Sequence, residues 1–266
     1  MAKAALCLDT GKSHIVTPED LAALTTPPKK GRFRAVPFDA AREIIRHRLE
    51  RNGWEIVKEQ LALMADKTGK PVRFFGTWDL KHQLADGVGL AFGARSSWDH
   101  RHALMVFGGE RVFICDNEMW SAELSDKHKN TLNWHRELPG RIEGVIEGLS
   151  KFADHRVAQI DRMKDTRVSD AQVHDALVLA ADADVIAWSG IGKVVKEWRT
   201  PSHDAHRDRN AWCLEQAFTE VNKEVRARNA ADAARRTVLL TELFHGLPAT
   251  SLQPATPGLL DSWERN

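Results

Sequence analysis

The apolar residues of this chain are patterned in two ways, and the change falls near residue 138. Before it they come in short, nearly unbroken runs, such as ALMVF at 103–107 and RVFIC at 111–115. After it, Ile142, Val145, Ile146, Leu149, Phe152 and Ala153 recur at spacings of three and four. Short continuous runs bounded by turn residues belong to strands, and the three-and-four repeat belongs to amphipathic helices. Strands first and helices after predict an α+β fold, with about five mostly antiparallel strands in the N-terminal half and a helical C-terminal half.

Finer punctuation divides the chain further. Residues 1–36 read as a flexible basic arm, because Pro27, Pro28, Lys29, Lys30, Gly31, Arg32 and Arg34 form a breaker-rich stretch. A β-rich core with one leading helix is expected over 37–137, a helical region packed on it over 138–247, and a mobile tail over 248–266. The leading helix covers about 38–52, with Asp39 as N-cap and Asn52-Gly53 as its stop. Strands are expected over 54–65 and 72–78, joined by the turn Asp66-Lys67-Thr68-Gly69-Lys70, and again over 87–94. A second hairpin is expected to turn at Gly108-Gly109, with arms over 102–107 and 111–115. Ser169 and Gln172 form a capping-box pattern that opens a later helix.

Composition sets limits on function. The chain has 38 Lys and Arg against 37 Asp and Glu, a formal net charge of +1. A nucleic-acid partner therefore requires a local basic patch. Three scattered cysteines, Cys7, Cys115 and Cys213, fit a reducing compartment better than a disulfide scaffold. No apolar run is long enough for a membrane span and the N-terminus lacks a signal-peptide core, so a cytoplasmic protein without a membrane partner is expected.

Unusual polar residues gather around the second hairpin. Arg95, Ser96, Ser97, Trp98, Asp99, His100 and His102 precede it; Cys115, Asp116 and Asn117 end it; Lys127, His128, Lys129, Asn130 and Thr131 follow. A turn at the two glycines would bring residues 95–99 and 115–117 together at the open end of the hairpin. As a metal set, Asp99, His100, His102, Asp116 and His128 are disfavoured, because adjacent strand residues point to opposite faces. Neither metal nor cofactor is expected. Cys115 at the end of an apolar strand reads as a buried thiol before it reads as a nucleophile. A structural network of Asp99, Asp116 and Asn117 with Arg95 is the plain alternative to any of these chemistries.

The stretch GLAFGARSSWDHRHALMVFGGERVFICDNEMWSAE, followed by KHKNT, resembles the phage/plasmid-like protein family, the domain of unknown function numbered nine hundred and thirty-two. AWCLEQAFTEVNKEV resembles a later segment of the same family. The matching positions are Arg95, Ser97, Asp99, Cys115, Asp116, Asn117 and His128. Where that family carries Asn and His, this chain has Ser96 and Trp98. The resemblance implies a mobile-element protein in a bacterial host cell and brings no established activity. Residues 38–78 are also loosely similar to the start of the core of recombinational single-strand annealing proteins, which implies self-association into a homo-oligomer.

The preferred expectation is a protein that binds, and as an extension anneals, single-stranded DNA. The residues expected to contact it are Lys29, Lys30, Arg32, Arg34, Arg95, Trp98, Arg101, Lys127 and Lys129, with Trp98 and Trp120 stacking on unpaired bases. One alternative is a small hydrolase-like enzyme built on Asp99, Cys115, Asp116 and His128. The other is a non-catalytic protein-interaction module, such as an antagonist of host defence.

Overall fold

A computed structural model describes residues 13–113, 117–228 and 230–245. Its N-terminal half is one mostly antiparallel sheet in which the strands lie side by side in chain order. They are β1 (Ser13–Val16), β2 (Ile56–Ala65), β3 (Pro71–Ala85), β4 (Val88–Ser97), β5 (Leu104–Val112) and β6 (Asn117–His128). Two helices, α1 (Pro18–Ala22) and α2 (Phe38–Arg51), lie between β1 and β2. The helices that follow β6 are α3 (Trp134–Asp165), α4 (Asp170–Asp182), α5 (Ile191–Arg199), α6 (Ala211–Arg228) and α7 (Ala230–His245). The α+β class expected from the apolar patterning is the class observed.

The chain forms two compact units whose boundary falls inside α3, between Asp154 and His155; residues 117–119 group with the second. The first half of α3 therefore belongs to the sheet unit, and the division expected at 137/138 comes too early. In this unit Phe38, Ala41, Ile45 and Leu49 of α2 are almost fully buried, and the Phe38 ring lies 5.4 Å from that of Phe74 in β3. The α2 face of the sheet also holds a polar knot. Arg42 forks onto Glu59 at 3.0 and 2.6 Å, and the Trp78 indole N–H donates to the same carboxylate at 2.6 Å. Asp39 sits inside the first turn of α2, after Pro37, so it acts on the positive helix end instead of capping it. Gly53 takes a φ of +81° just past the helix, as its stop signal implied.

The arm expected over 1–36 is built into the fold in its described part. Ser13–Val16 pairs with Met64–Leu61 of β2, Thr17 and Asp20 cap α1 reciprocally, and Ala35 and Val36 are buried. Short apolar pieces such as Ile15-Val16 gain order from a long neighbouring strand, which a local reading does not see.

The second hairpin is corrected as well. Gly108 and Gly109 lie inside β5, paired with Phe92 and Ala91 of β4, and β5 runs on to Val112 opposite Val88. Neither glycine has positive φ. Gly108 instead gives room to packing: a Cβ there would come within 2.8 Å of Leu149 and 2.9 Å of Leu124. The turns lie elsewhere, at Asp86-Gly87, where Gly87 has φ +71°, and in the loop between Ser97 and Leu104.

In the helical unit, Ser169 and Gln172 form the expected capping box at the start of α4. Arg156 of α3 and Glu215 of α6 are paired at 2.8 Å with both side chains buried. Among the described residues no helix is long and apolar enough to cross a membrane.

Candidate nucleic-acid interface

Sheet register decides which polar residues meet. Ser97 pairs with Arg73 and Arg95 with Met105 at one end of the sheet, whereas Val112 pairs with Val88 near the other. The chain thus leaves β5 toward 115–117 at the end away from Ser97 and Asp99. The shared site expected from a double-glycine turn does not form. Cys115 and Asp116 lie outside the described residues, and Asn117 opens β6.

The Ser97 end has its own constellation, assembled from four segments. The β2–β3 turn is shaped by Asp66, whose Oδ1 accepts from the Thr68 amide at 2.8 Å and the Lys70 amide at 3.1 Å. The loop after β4 is clasped by Ser97: its hydroxyl accepts from the His102 amide at 2.8 Å and donates to the His102 carbonyl at 3.1 Å. Within that loop Asp99 accepts from Arg73 Nε and Nη2 at 2.9 and 2.7 Å and from the Arg101 amide at 3.2 Å. Arg95 was expected to partner one of the two Asp residues, Asp99 or Asp116, and Asp116 lies outside the described residues; for Asp99 the partner is not Arg95. It is Arg73, because residue 73 stands opposite residue 97 in the register, while Arg95 turns its guanidinium to Met105 Sδ at 3.5 Å.

The third and fourth segments are 30–34 and 127–131. Lys30 and Phe33 bridge each other across Gly31, and Phe33 also bridges Thr131. The Asn130 carbonyl accepts from the Arg34 amide at 3.1 Å, and the Asn130 side-chain amide donates to the Ser97 carbonyl at 3.0 Å. The His100 ring lies 3.9 Å from that of Phe33. Three stretches far apart in sequence are therefore tied at one edge.

Charge follows that geometry. Lys29, Lys30, Arg32, Arg34, Arg101, Lys127 and Lys129 are exposed around this end, and so are Lys67 and Lys70 of the neighbouring turn. Among the described residues only Arg101 of these is in an ion pair, 3.8 Å from Asp99. Burial works to raise the Asp99 carboxyl, but hydrogen bonds from Arg73 and the Arg101 amide outweigh it and hold it below the usual carboxylate range. Asp99 stays charged, and its charge is already engaged by Arg73.

The two tryptophans expected to stack on bases and the two histidines weighed for metal or catalysis are all at least half-buried. Trp98 is buried, stacked on Phe38 at 4.0 Å, with its indole N–H bonded to the Val36 carbonyl at 2.9 Å. It cannot stack on a base. Trp120 is buried against Phe107. His128 is 3% exposed and turns Nδ1 to Glu137 at 3.6 Å; burial, helped by Arg141, pushes its pKa down despite Glu137. His102 is likewise pushed down, by burial and then by Arg95 and Arg73.

Of the four residues of the enzyme alternative, Cys115 and Asp116 lie outside the described residues, the Asp99 carboxylate is engaged by Arg73, and His128 is buried. A groove of about 580 Å³ lies beside α3, lined by Ser125, Asp126, Glu137, Gly140, Arg141, Gly144 and Val145; neither Asp99 nor His128 lines it. Cys213 is buried, and burial pushes its thiol up to about 11, the state of an inert cysteine. Among the described residues no group of three or more His, Cys, Asp or Glu is placed to hold a metal ion.

Phe33 and Arg73 of this end carry no signal in the sequence, Asn130 was named there without a role, and Lys67 and Lys70 were read only as part of a turn. The turn signal at 66–70 was legible, but its proximity to 97–102 depends on strand register. No family model, curated protein or solved structure matches the chain.

Proposed function

We propose that this protein binds single-stranded DNA through the loop-bearing end of its sheet, as a phage- or plasmid-type protein of mobile-element DNA metabolism. The observation that carries the reading is the convergence of Lys30, Arg32 and Arg34 with Arg101 and Lys129 through the Phe33–Thr131 bridge and the Asn130 bonds. On a chain of net charge +1, a local concentration of exposed cations is what a polyanion requires. Lys67 and Lys70 widen the patch. Trp98 leaves the list of contacts and becomes its support, while Arg95 is half-buried at the same end.

The test is a fluorescence anisotropy titration with labelled oligothymidylate across a range of salt. Wild-type affinity should fall steeply with salt, with a log–log slope of about −0.7 per phosphate neutralised. Replacing Arg32 and Arg34 by Glu, or Lys127 and Lys129 by Glu, should weaken binding at low salt by at least about tenfold and flatten that slope. Absence of binding at low salt, or affinity indifferent to both charge reversals, rules the reading out.

A further inference from the structure

We propose that Phe33 and His100 form a base-stacking platform at this basic end, so that the ligand class is unpaired nucleobases and not polyanions in general. The inference rests on the single-strand-binding reading above and supplies the aromatic element that buried Trp98 and Trp120 cannot.

The two rings are 3.9 Å apart at 42° to each other, with Phe33 half-buried and His100 exposed. Phe33 is fixed from behind by its bridges to Lys30 and Thr131. His100 stands at the crest of a loop stapled on both sides, by Ser97 to His102 and by Asp99 to the Arg101 amide. The pair is flanked in sequence by Arg32, Arg34 and Arg101, all exposed. An exposed ring backed by a second ring and bordered by guanidinium groups is the arrangement that holds a splayed base against a backbone-tracking charge.

The backbone adds a second observation. His100 has φ +63°, in the left-handed region where a side chain is disfavoured. At Gly31, Gly53, Gly69 and Gly87 the chain meets the same demand with glycine; among the described residues only His100 and Asp184 do otherwise. Glycine would suit position 100 better on conformational grounds, and the imidazole found there packs on the Phe33 ring while staying exposed.

The experiment uses the full chain and three probes of equal length: oligothymidylate, an oligomer of abasic sites with the same phosphates, and a duplex. Wild type should bind oligothymidylate about tenfold tighter than the abasic oligomer, the scale of one stacked base. H100G should lose that margin, keep its affinity for the abasic oligomer, and melt at the same or a higher temperature. H100N, which also tolerates positive φ and lacks the ring, should do the same, whereas H100F should retain the margin. If the wild type binds abasic and thymidylate oligomers equally, or keeps its margin in H100G and H100N, the platform is refuted while the charge reading stands; a preference for duplex overturns the platform and the single-strand reading together. Failure to bind any of the three probes removes both.

Discussion

At the scale of single residues, position in the pleat outweighs chemical type. Trp98 sits in a run of polar residues and reads as an exposed aromatic, yet Phe92, Ala94 and Ser96 share the α2 face of β4, and Trp98, one residue past the strand, continues that alternation with its amide still bonded to the Val72 carbonyl. That period of two was available in the sequence, and it places the indole in the core. Asp79 and Arg111 make the same point with charges: their side chains are 4% and 2% exposed and 2.7 Å apart on the opposite face of the sheet. A buried ion pair is costly to halve and cheaper to replace whole. D79A should cost about 3–5 kcal/mol in urea-induced unfolding, and pairing it with R111M should recover part of the loss. An additive double variant would show that the two side chains act independently.

At the scale of elements, what was legible was local. Helix α2 and its glycine stop, the β2–β3 turn at Asp66–Lys70, the α4 capping box and the three-and-four stripe of α3 were all readable from neighbouring residues. The Gly108-Gly109 turn was a local reading that failed, because paired glycines serve either a reversal or a close approach, and only packing tells them apart. Here Leu149 and Leu124 occupy the space over Gly108. The same use recurs at Gly93, where a Cβ would fall 2.1 Å from the Phe107 ring. G93V should therefore push Phe107 off the sheet, costing about 1–3 kcal/mol in thermal or chemical unfolding. A change in near-ultraviolet circular dichroism should accompany it, since Phe107 stacks edge-on with Trp120 at 4.6 Å. An unchanged spectrum with unchanged stability would contradict that packing account.

At the scale of the whole molecule, the distribution of charge and of buried imidazoles sets the response to solution conditions. His102, His128 and His206 all have pKa values lowered first by burial, so the unfolded chain binds more protons than the native one. Their contribution to stability is complete above the unfolded value of about 6.5 and declines as pH falls from there toward the lowered native values. Asp99, with its carboxyl held down by Arg73, adds a second loss as pH falls below about 4 and through its native value. Melting temperature should thus drop between pH 7.5 and 5.5, and H128N should make that decline shallower. A melting temperature flat across that interval would show that these rings titrate as they do in the unfolded chain. The α+β order of the chain was readable from its apolar pattern, and so were most cations of the basic end; how they are held together was not, because the contacts that gather them join residues 33 and 131, or 97 and 130, and no local pattern encodes such distances.

The bond from Asn130 to the Ser97 carbonyl, together with the Phe33–Thr131 bridge, also places the site in time. A ribosome-bound chain can form β2, β3 and β4 from neighbours, but segment 30–34 gains its backbone partners outside itself only when residues 130 and 131 have emerged. Nascent fragments ending before that point carry most of the cations without their arrangement. Affinity for a partner should therefore arrive late in synthesis and in one step, when the last rung of this unit is in place.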